Sequence, residues 1–279
     1  MPTLLVNGLT IEGVAESCHG SLVIVRNLRT AFDCGMLMGC HVNPLMRCKY
    51  VCVTHGHPDH IGALHMDAFL RSRKSGQTAQ YLMPTCCVEP WSQAYRLLED
   101  LNGESGMPLN ITGVEGGEEV KRSDAFIIRA LETIHRVPNV GYAVSQTRSK
   151  LLPELKGKTN DEIRTLKASG TPITYSLTSH PFAYTGDSTI EGIVQHEAFM
   201  TADVLMMECT FVGNEVSPEL SKQRGHVHLD DIVKHQDQFQ NKYIVLCHFS
   251  PRYNQAQIQD AIGSASFQPE FRDKIKLFI

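Results

Sequence analysis

Nowhere in the 279 residues do apolar side chains run for the ~18 consecutive positions that a bilayer-spanning helix needs, so a soluble chain with no membrane partner is expected. Paired cysteines are missing as well. The nine cysteines are an odd number without one Cys-x-x-Cys, and no charged segment followed by an apolar one opens the chain; reduced thiols and a cytoplasmic setting are expected. Cys34, Cys40, Cys48 and Cys52 fit no common structural zinc spacing and read as buried free thiols. Strong charge of either sign is lacking too. A formal net charge of −4 and a pI near 6.3 argue against nucleic-acid binding through the overall field, so a polyanion must meet a local patch. Internal repeats, low-complexity blocks and linkers rich in Gly, Ser and Pro are absent, which favours a single domain over 1–279.

What the chain does contain is an alternation of short apolar runs with helical periodicities. Strands are expected at Thr3–Val6, Ser21–Val25, Thr30–Asp33 and Tyr50–Thr54, followed by a helix over about His60–Arg73, where Ile61, Leu64, Ala68 and Phe69 share one face. Gln80–Met83 reads as a strand leading past Pro84 into a helix over Val88–Leu101, and Asn110–Val114 and Phe126–Ile134 read as strands. Further strands are expected at Gly141–Ser145, Thr174–Ser176, Phe182–Thr185, Ala202–Met207 and Lys242–His248, with helices over Leu229–Phe239 and Asn254–Ile262. This alternation predicts a layered α/β fold.

The chemistry is announced by Thr54-His55-Gly56-His57-Pro58-Asp59-His60, which follows the apolar run Tyr50–Val53. Histidines at alternate positions of extended chain face one side, so His55 and His57 can clamp one ion while Asp59 and His60 turn toward another. Imidazole nitrogen with carboxylate oxygen, and no thiolate, suits zinc or a similar divalent ion such as manganese in a catalytic site that water completes. A solvated His-rich turn is the ordinary alternative for any two of these residues; four matched positions reverse that preference. Two metals need more ligands, and three candidates stand at the ends of later apolar runs: His135, Asp187 and His248.

Several segments together resemble the metallo-β-lactamase superfamily and, within it, the ribonuclease Z family in its short, plant-like form. They are Ala31-Phe32-Asp33-Cys34-Gly35, the His55–His60 run, His135 with Gly141-Tyr142, Thr185-Gly186-Asp187-Ser188, Met207-Glu208-Cys209-Thr210, Gly225-His226-Val227-His228 and His248-Phe249-Ser250-Pro251-Arg252-Tyr253. The resemblance implies a four-layer αβ/βα sandwich with the site where strand ends of both halves meet. It implies that His55, His57 and His135 hold one zinc, that Asp59, His60 and His248 hold a second, and that Asp187 bridges them. Asp59 is then also a general base, and Glu208 with His226 assists the leaving oxygen. Met207 stands where many members have His, and Val227-His228 replaces Ser-Thr, yet the dyad itself is kept. His228 is a supporting partner of the site or a helix N-terminal residue, and Asp33 resembles an aspartate that supports a ligand.

The implied activity is zinc-dependent cleavage of precursor tRNA 3′ trailers by a homodimer. A basic segment from Arg148 to Gly170, holding Arg148, Lys150, Lys156, Lys158, Arg164 and Lys167 against Glu154, Asp161 and Glu162, matches the tRNA-gripping arm of that family without the Gly/Pro richness of bacterial arms. A solvated helical surface is the alternative reading of that segment. The competing functions are a hydrolase of a small phosphodiester or thioester on the same fold, as in glyoxalase II, and a non-catalytic RNA-binding scaffold. His19, His41, His65, His180, His196 and His235 have no matched role; His65 lies five positions after His60, off the spacing that would bring both to one ion.

Overall fold

A computed structural model of the chain describes residues 2–37, 42–73, 78–103, 109–123 and 126–279, so Cys40 and His41 lie outside the described residues. The strands are β1 (Thr3–Val6), β2 (Leu9–Glu16), β3 (Gly20–Val25), β4 (Thr30–Phe32), β5 (Tyr50–Cys52), β6 (Gln80–Pro84) and β7 (Asn110–Val114) in one sheet, in that order. The second sheet holds β8 (Glu119–Ser123), β9 (Phe126–Glu132), β10 (Val140–Leu151), β11 (Thr174–Tyr184), β12 (Val204–Glu208), β13 (Tyr243–Cys247) and β14 (Ile275–Leu277), again in chain order. Each sheet begins with four strands paired antiparallel and ends with three parallel additions.

Side-chain alternation explains the layering. Val23, Val25, Phe32, Cys52 and Leu82 of the first sheet pack with Tyr142, Phe182, Tyr184, Met206 and Val245 of the second, forming the core between the sheets. Their neighbours in sequence, Leu22, Ile24, Ala31, Val51 and Tyr81, face the helices outside the first sheet, and Ala183, Leu205, Met207, Ile244 and Leu246 face those outside the second. A strand covered on both faces must be apolar throughout, as Gly20–Val25 and Val204–Glu208 nearly are. Helix, sheet, sheet and helix are thus stacked in four layers. No helix among the described residues is long and apolar enough to cross a membrane.

Three local differences from the expected elements have physical causes. The helix expected over His60–Arg73 begins at Pro58 and is interrupted, running Pro58–Ile61 and then Leu64–Arg73, because Gly62 and Ala63 turn it beneath β4. The two strands expected at Thr174–Ser176 and Phe182–Thr185 are one, and β10 continues to Leu151 beside it. The basic segment therefore starts inside an exposed two-stranded ribbon and ends in the helix Asn160–Ala168, capped by Thr159 and Glu162. Its outer half has no buried face, so apolar alternation could not reveal it.

The outer layer of the first sheet is pinned by a buried ion pair. Arg71 donates through Nε to Asp67 Oδ2 (2.9 Å) and through its terminal nitrogens to the carbonyls of Leu45 (2.7 Å) and Cys48 (3.0 Å), while Tyr81 Oη donates to Asp67 Oδ2 (2.8 Å). Burial pushes the Asp67 carboxyl up, against the pull of Arg71. Removing one partner strands the other charge in the core, so Arg71→Ala is expected to destabilise the fold by about 3–5 kcal/mol in denaturant unfolding; a loss under ~1 kcal/mol would contradict this.

Candidate metal centre

Proline fixes the geometry of the metal loop. After β5 the chain stays extended through His57 (φ −70, ψ 147), and Pro58 then opens a helical turn, so His55 and His57 project from extended backbone while Asp59 and His60 ride on the turn. The loop after β4 closes against it. Cys34 N–H donates to the His60 carbonyl (2.8 Å), and a Cβ at Gly35 would stand 1.8 Å from the Asp59 carbonyl oxygen, so only glycine permits this approach. His135 lies three residues beyond β9, Asp187 three beyond β11 and His248 directly after β13, which brings ligands from both sheets to one edge.

The donor atoms form two main groups, with Asp187 also drawing together with His226 and His248 in a third that links them. His55, His57, His135 and Asp187 have ligand atoms all within 4.8 Å of one another, and so do Asp59, His60 and His248. Asp187 Oδ2 lies 3.9 Å from His55 Nε2 and 4.0 Å from His135 Nε2, whereas its Oδ1 lies 3.5 Å from His60 Nε2 and 3.3 Å from His248 Nδ1. One oxygen therefore faces each group, and all seven expected ligands are assembled.

The remaining hydrogen bonds orient the imidazoles. His60 Nδ1 meets Asp33 Oδ2 (2.8 Å), His55 Nδ1 meets Thr54 Oγ1 (3.0 Å), and His135 Nδ1 donates to the Gly225 carbonyl (2.7 Å), so in each ring Nε2 is turned inward. Asp33 is itself fixed by Thr54, whose N–H and hydroxyl donate to Oδ1 (2.7 and 3.0 Å). Inside, His60 Nε2, His248 Nε2 and Asp187 Oδ1 are buried with no hydrogen-bond partner. Buried polar atoms left unpaired at a convergence of imidazoles and carboxylates fit a divalent cation.

The charges fit one too. Burial pushes the Asp59 carboxyl up, but His248 and His60 outweigh it and hold it at about 2, and neighbouring histidines likewise hold Asp187 well below the carboxylate range. Burial, with neighbouring histidines adding to it, pushes His55, His57 and His135 down, the direction that favours the neutral, ligating imidazole. Beside them stands the dyad. His226 Nδ1 meets Glu208 Oε1 (3.0 Å) and lies 3.9 Å from Asp187 Oδ2. Glu208 also accepts from the backbone N–H groups of Ser188 (2.7 Å), Val227 (3.2 Å) and Thr210 (3.3 Å), which hold it in place. Burial opposes charge on His226, yet Glu208 raises its pKa to about 9.

Several contributors carry no mark in the sequence. The N–H of Cys18, at the tip of the β2–β3 turn, donates to Asp59 Oδ2 (2.9 Å), while Ala15 in β2 of the same hairpin accepts from His248 N–H through its carbonyl (2.8 Å). One hairpin thus braces two ligands from opposite sheets. Because the donor is backbone, no side-chain pattern announces it. Outside the dyad, Arg224 and Arg252 lie over the Phe211 ring (5.6 and 5.3 Å), whose centroid is 6.0 Å from that of His226. His228 caps the helix Leu229–His235, accepting from Asp230 N–H (3.1 Å), so its role is helix capping. His19, His65, His180, His196 and His235 join neither ligand group. Cys34, Cys48 and Cys52 are buried.

Residues 40–249 match the family described as the beta-lactamase superfamily domain. The tRNase Z TRZ1 of Arabidopsis thaliana is 33% identical over 261 residues, covering 93% of this chain and 91% of that protein. The chain belongs to the tRNase Z family. Human short-form tRNase Z shares its fold, with a TM-score of 0.60 at 16% identity over 97% of this chain and 95% of that one. So does the metallo-beta-lactamase fold protein YhfI of Bacillus subtilis, at 0.61 and 15% over 95% of each chain. The four-layer sandwich expected from the sequence is the observed one.

In this tRNase Z family member, the fully buried Asp33 supports ligands of both groups, His60 directly and His55 through Thr54. Asp33→Ala is expected to lower metal affinity by about 10–100-fold, the usual effect of losing a partner that orients a metal-binding imidazole. Equilibrium dialysis against a chelator checks it; unchanged affinity would deny Asp33 this role.

Proposed function

We propose that the chain is a zinc-dependent endoribonuclease that cuts precursor tRNA after the discriminator base, releasing the 3′ trailer and leaving a 3′ hydroxyl. The observation that carries this reading is the Glu208–His226 dyad set 3.9 Å from the shared Asp187, a proton donor beside a two-cation site. Membership of the tRNase Z family supports it. The reading includes two zinc ions per subunit and a homodimer in the cytoplasm, where the cysteines stay reduced.

His55, His57 and His135 would hold one ion and Asp59, His60 and His248 the other, with Asp187 between them; when bound, the pair acidifies water and neutralises charge on the phosphodiester. Asp59, ionised and steadied by the Cys18 N–H, accepts the proton of the attacking water. As the new P–O bond forms and the P–O3′ bond breaks, His226 gives its proton to the departing 3′ oxygen, and Glu208 stabilises its charged form. Arg224 and Arg252, over the Phe211 ring beside His226, add positive charge that suits a phosphate.

Zinc-loaded protein incubated with a precursor tRNA is expected to give one cut at the 3′ end of the mature body, and Asp59→Ala to abolish it. A loaded protein that turns over a small phosphodiester but leaves the precursor whole would end the RNA reading. So would an Asp59→Ala chain as active as its parent.

The β10–β11 ribbon and its terminal helix are the proposed grip on the tRNA body. Lys158 and Arg164 are engaged by Glu162 (3.7 Å) and Asp161 (3.4 Å), whereas Lys150, Lys156 and Lys167 are exposed and have no ion-pair partner among the described residues. Replacing these three by alanine is expected to raise KM for precursor tRNA and to flatten the dependence of log KM on log salt by about 2–3, near 0.9 for each phosphate that a lysine no longer neutralises. An unaltered salt slope would assign the ribbon a different role.

A further inference from the structure

The C-terminal ends of the parallel strands carry the metal centre, and the opposite end of the first sheet carries a second concentration of charge. A cleft of about 510 Å³ lies over Tyr50, Gln80 and Asn110, the first residues of β5, β6 and β7, and adjoins a smaller one of about 210 Å³. Together they are lined by Arg26, Arg29, Arg47, Lys49 and Arg71, and by no carboxylate among the described residues. Two of these cations are spoken for, Arg26 by Glu12 and Arg71 by Asp67. Arg29, Arg47 and Lys49 are exposed and have no acidic partner among the described residues. Three such cations on one cleft, in a chain of net charge −4, make a local positive patch that draws an anion.

The backbone holds them together at a cost. Arg29 closes the turn Arg26–Leu28 in the left-handed conformation (φ 50, ψ 42), where glycine or asparagine is the unstrained choice. Its Nε donates to the Arg47 carbonyl (3.1 Å), and Lys49 N–H donates to the Arg29 carbonyl (2.8 Å), clipping the two loops side by side. Two guanidinium forks and an ammonium, with the hydroxyl of Thr78 and the side-chain amides of Gln80 and Asn110 on the same wall, suit a group with several charged oxygens.

We infer that this cleft binds a phosphate-bearing ligand. Lys49 stands six residues before His55, roughly 20 Å along the strand, so the cleft is separate from the reaction centre. The phosphate belongs either to a free nucleotide or to the backbone of an RNA whose scissile bond lies at the metal site. Only the second source rests on the proposed endoribonuclease activity.

Two variants test it, Arg29→Gly and the double change Arg47→Gln with Lys49→Gln. Glycine relieves the left-handed strain, so Arg29→Gly alone is expected to melt at or above the parent temperature, which separates lost binding from lost folding. With ADP as the free probe, the parent is expected to show a ligand-dependent rise in melting temperature that both variants lose. With precursor tRNA, both are expected to raise KM several-fold, with a shallower salt dependence and unchanged kcat. The ADP response alone assigns the cleft to a free nucleotide; the RNA response, with or without it, assigns the cleft to the substrate backbone. If neither probe distinguishes the variants from the parent, the inference is overturned. A parent chain that fails to cut the precursor refutes the RNA-processing reading, while the ADP measurement still decides whether the cleft binds phosphate.

Discussion

Asp187→Ala is expected to lower precursor cleavage by about 10³-fold or more, the equivalent of several kcal/mol of transition-state stabilisation at ~1.4 kcal/mol per decade. The reason is its position. Its two oxygens face different ligand groups, Oδ2 toward His55 and His135 and Oδ1 toward His60 and His248. Loss of any one histidine leaves each group with a carboxylate, whereas loss of Asp187 leaves three imidazoles on one side and removes the anion that ties the sides together. Metal analysis should show occupancy falling at both positions rather than one. A variant that keeps both ions, or loses only one and still cleaves at more than a tenth of the parent rate, would contradict the shared-ligand assignment.

How much of this site is legible in the sequence varies with the kind of information each part carries. The His55–His60 run is legible because its side chains follow local rules: alternation along extended chain, then a turn started by proline. His135, Asp187 and His248 are legible as polar residues after apolar runs. Their allocation between two ions is not, because it depends on where three strands from the second sheet end against a loop of the first; only the family resemblance supplies it. The Cys18 amide leaves no trace, since any residue can offer an N–H. Among the strands, β2 escapes the sequence reading although most of it is buried, because Glu12 interrupts its apolar pattern, and that carboxylate is paired with Arg26. The outer ribbon is legible only in part: Thr174–Ser176 reads as a strand, but its continuation into Phe182 and the run of β10 to Leu151 do not, because polar residues on both faces carry no period.

The fold explains why these unmarked contacts matter. Both sheets turn the C-terminal ends of their parallel strands toward the same edge, so each contributes ligands that the other cannot replace. Their relative position rests on the core between the sheets and on the β2–β3 hairpin, which bonds the Asp59 side chain of one half and the His248 backbone of the other. A catalytic geometry assembled across two sheets needs such a brace, because small slips between layers would open the distance between donor groups.

The second large effect concerns the proton for the departing oxygen. His226→Ala is expected to reduce cleavage of precursor tRNA by about 10²–10⁴-fold, the usual range for a general acid. The same change should scarcely affect turnover of a nitrophenyl phosphodiester, whose leaving group departs without protonation. That contrast separates a proton donor from a residue that merely supports the metals, since structural damage would slow both substrates alike. The pH dependence supplies an independent sign. A histidine whose pKa is raised keeps its proton until the pH climbs through the raised value, so activity is lost on the alkaline side. Glu208→Gln removes the countercharge 3.0 Å from Nδ1 and leaves burial to push the imidazole down, so the alkaline limb should move to lower pH. Bound cations lower the value in both chains, and the displacement between them remains the quantity to measure. Coincident alkaline limbs, or equal losses on the two substrates, would remove His226 from the role of acid and leave the Glu208–His226 pair as scaffolding.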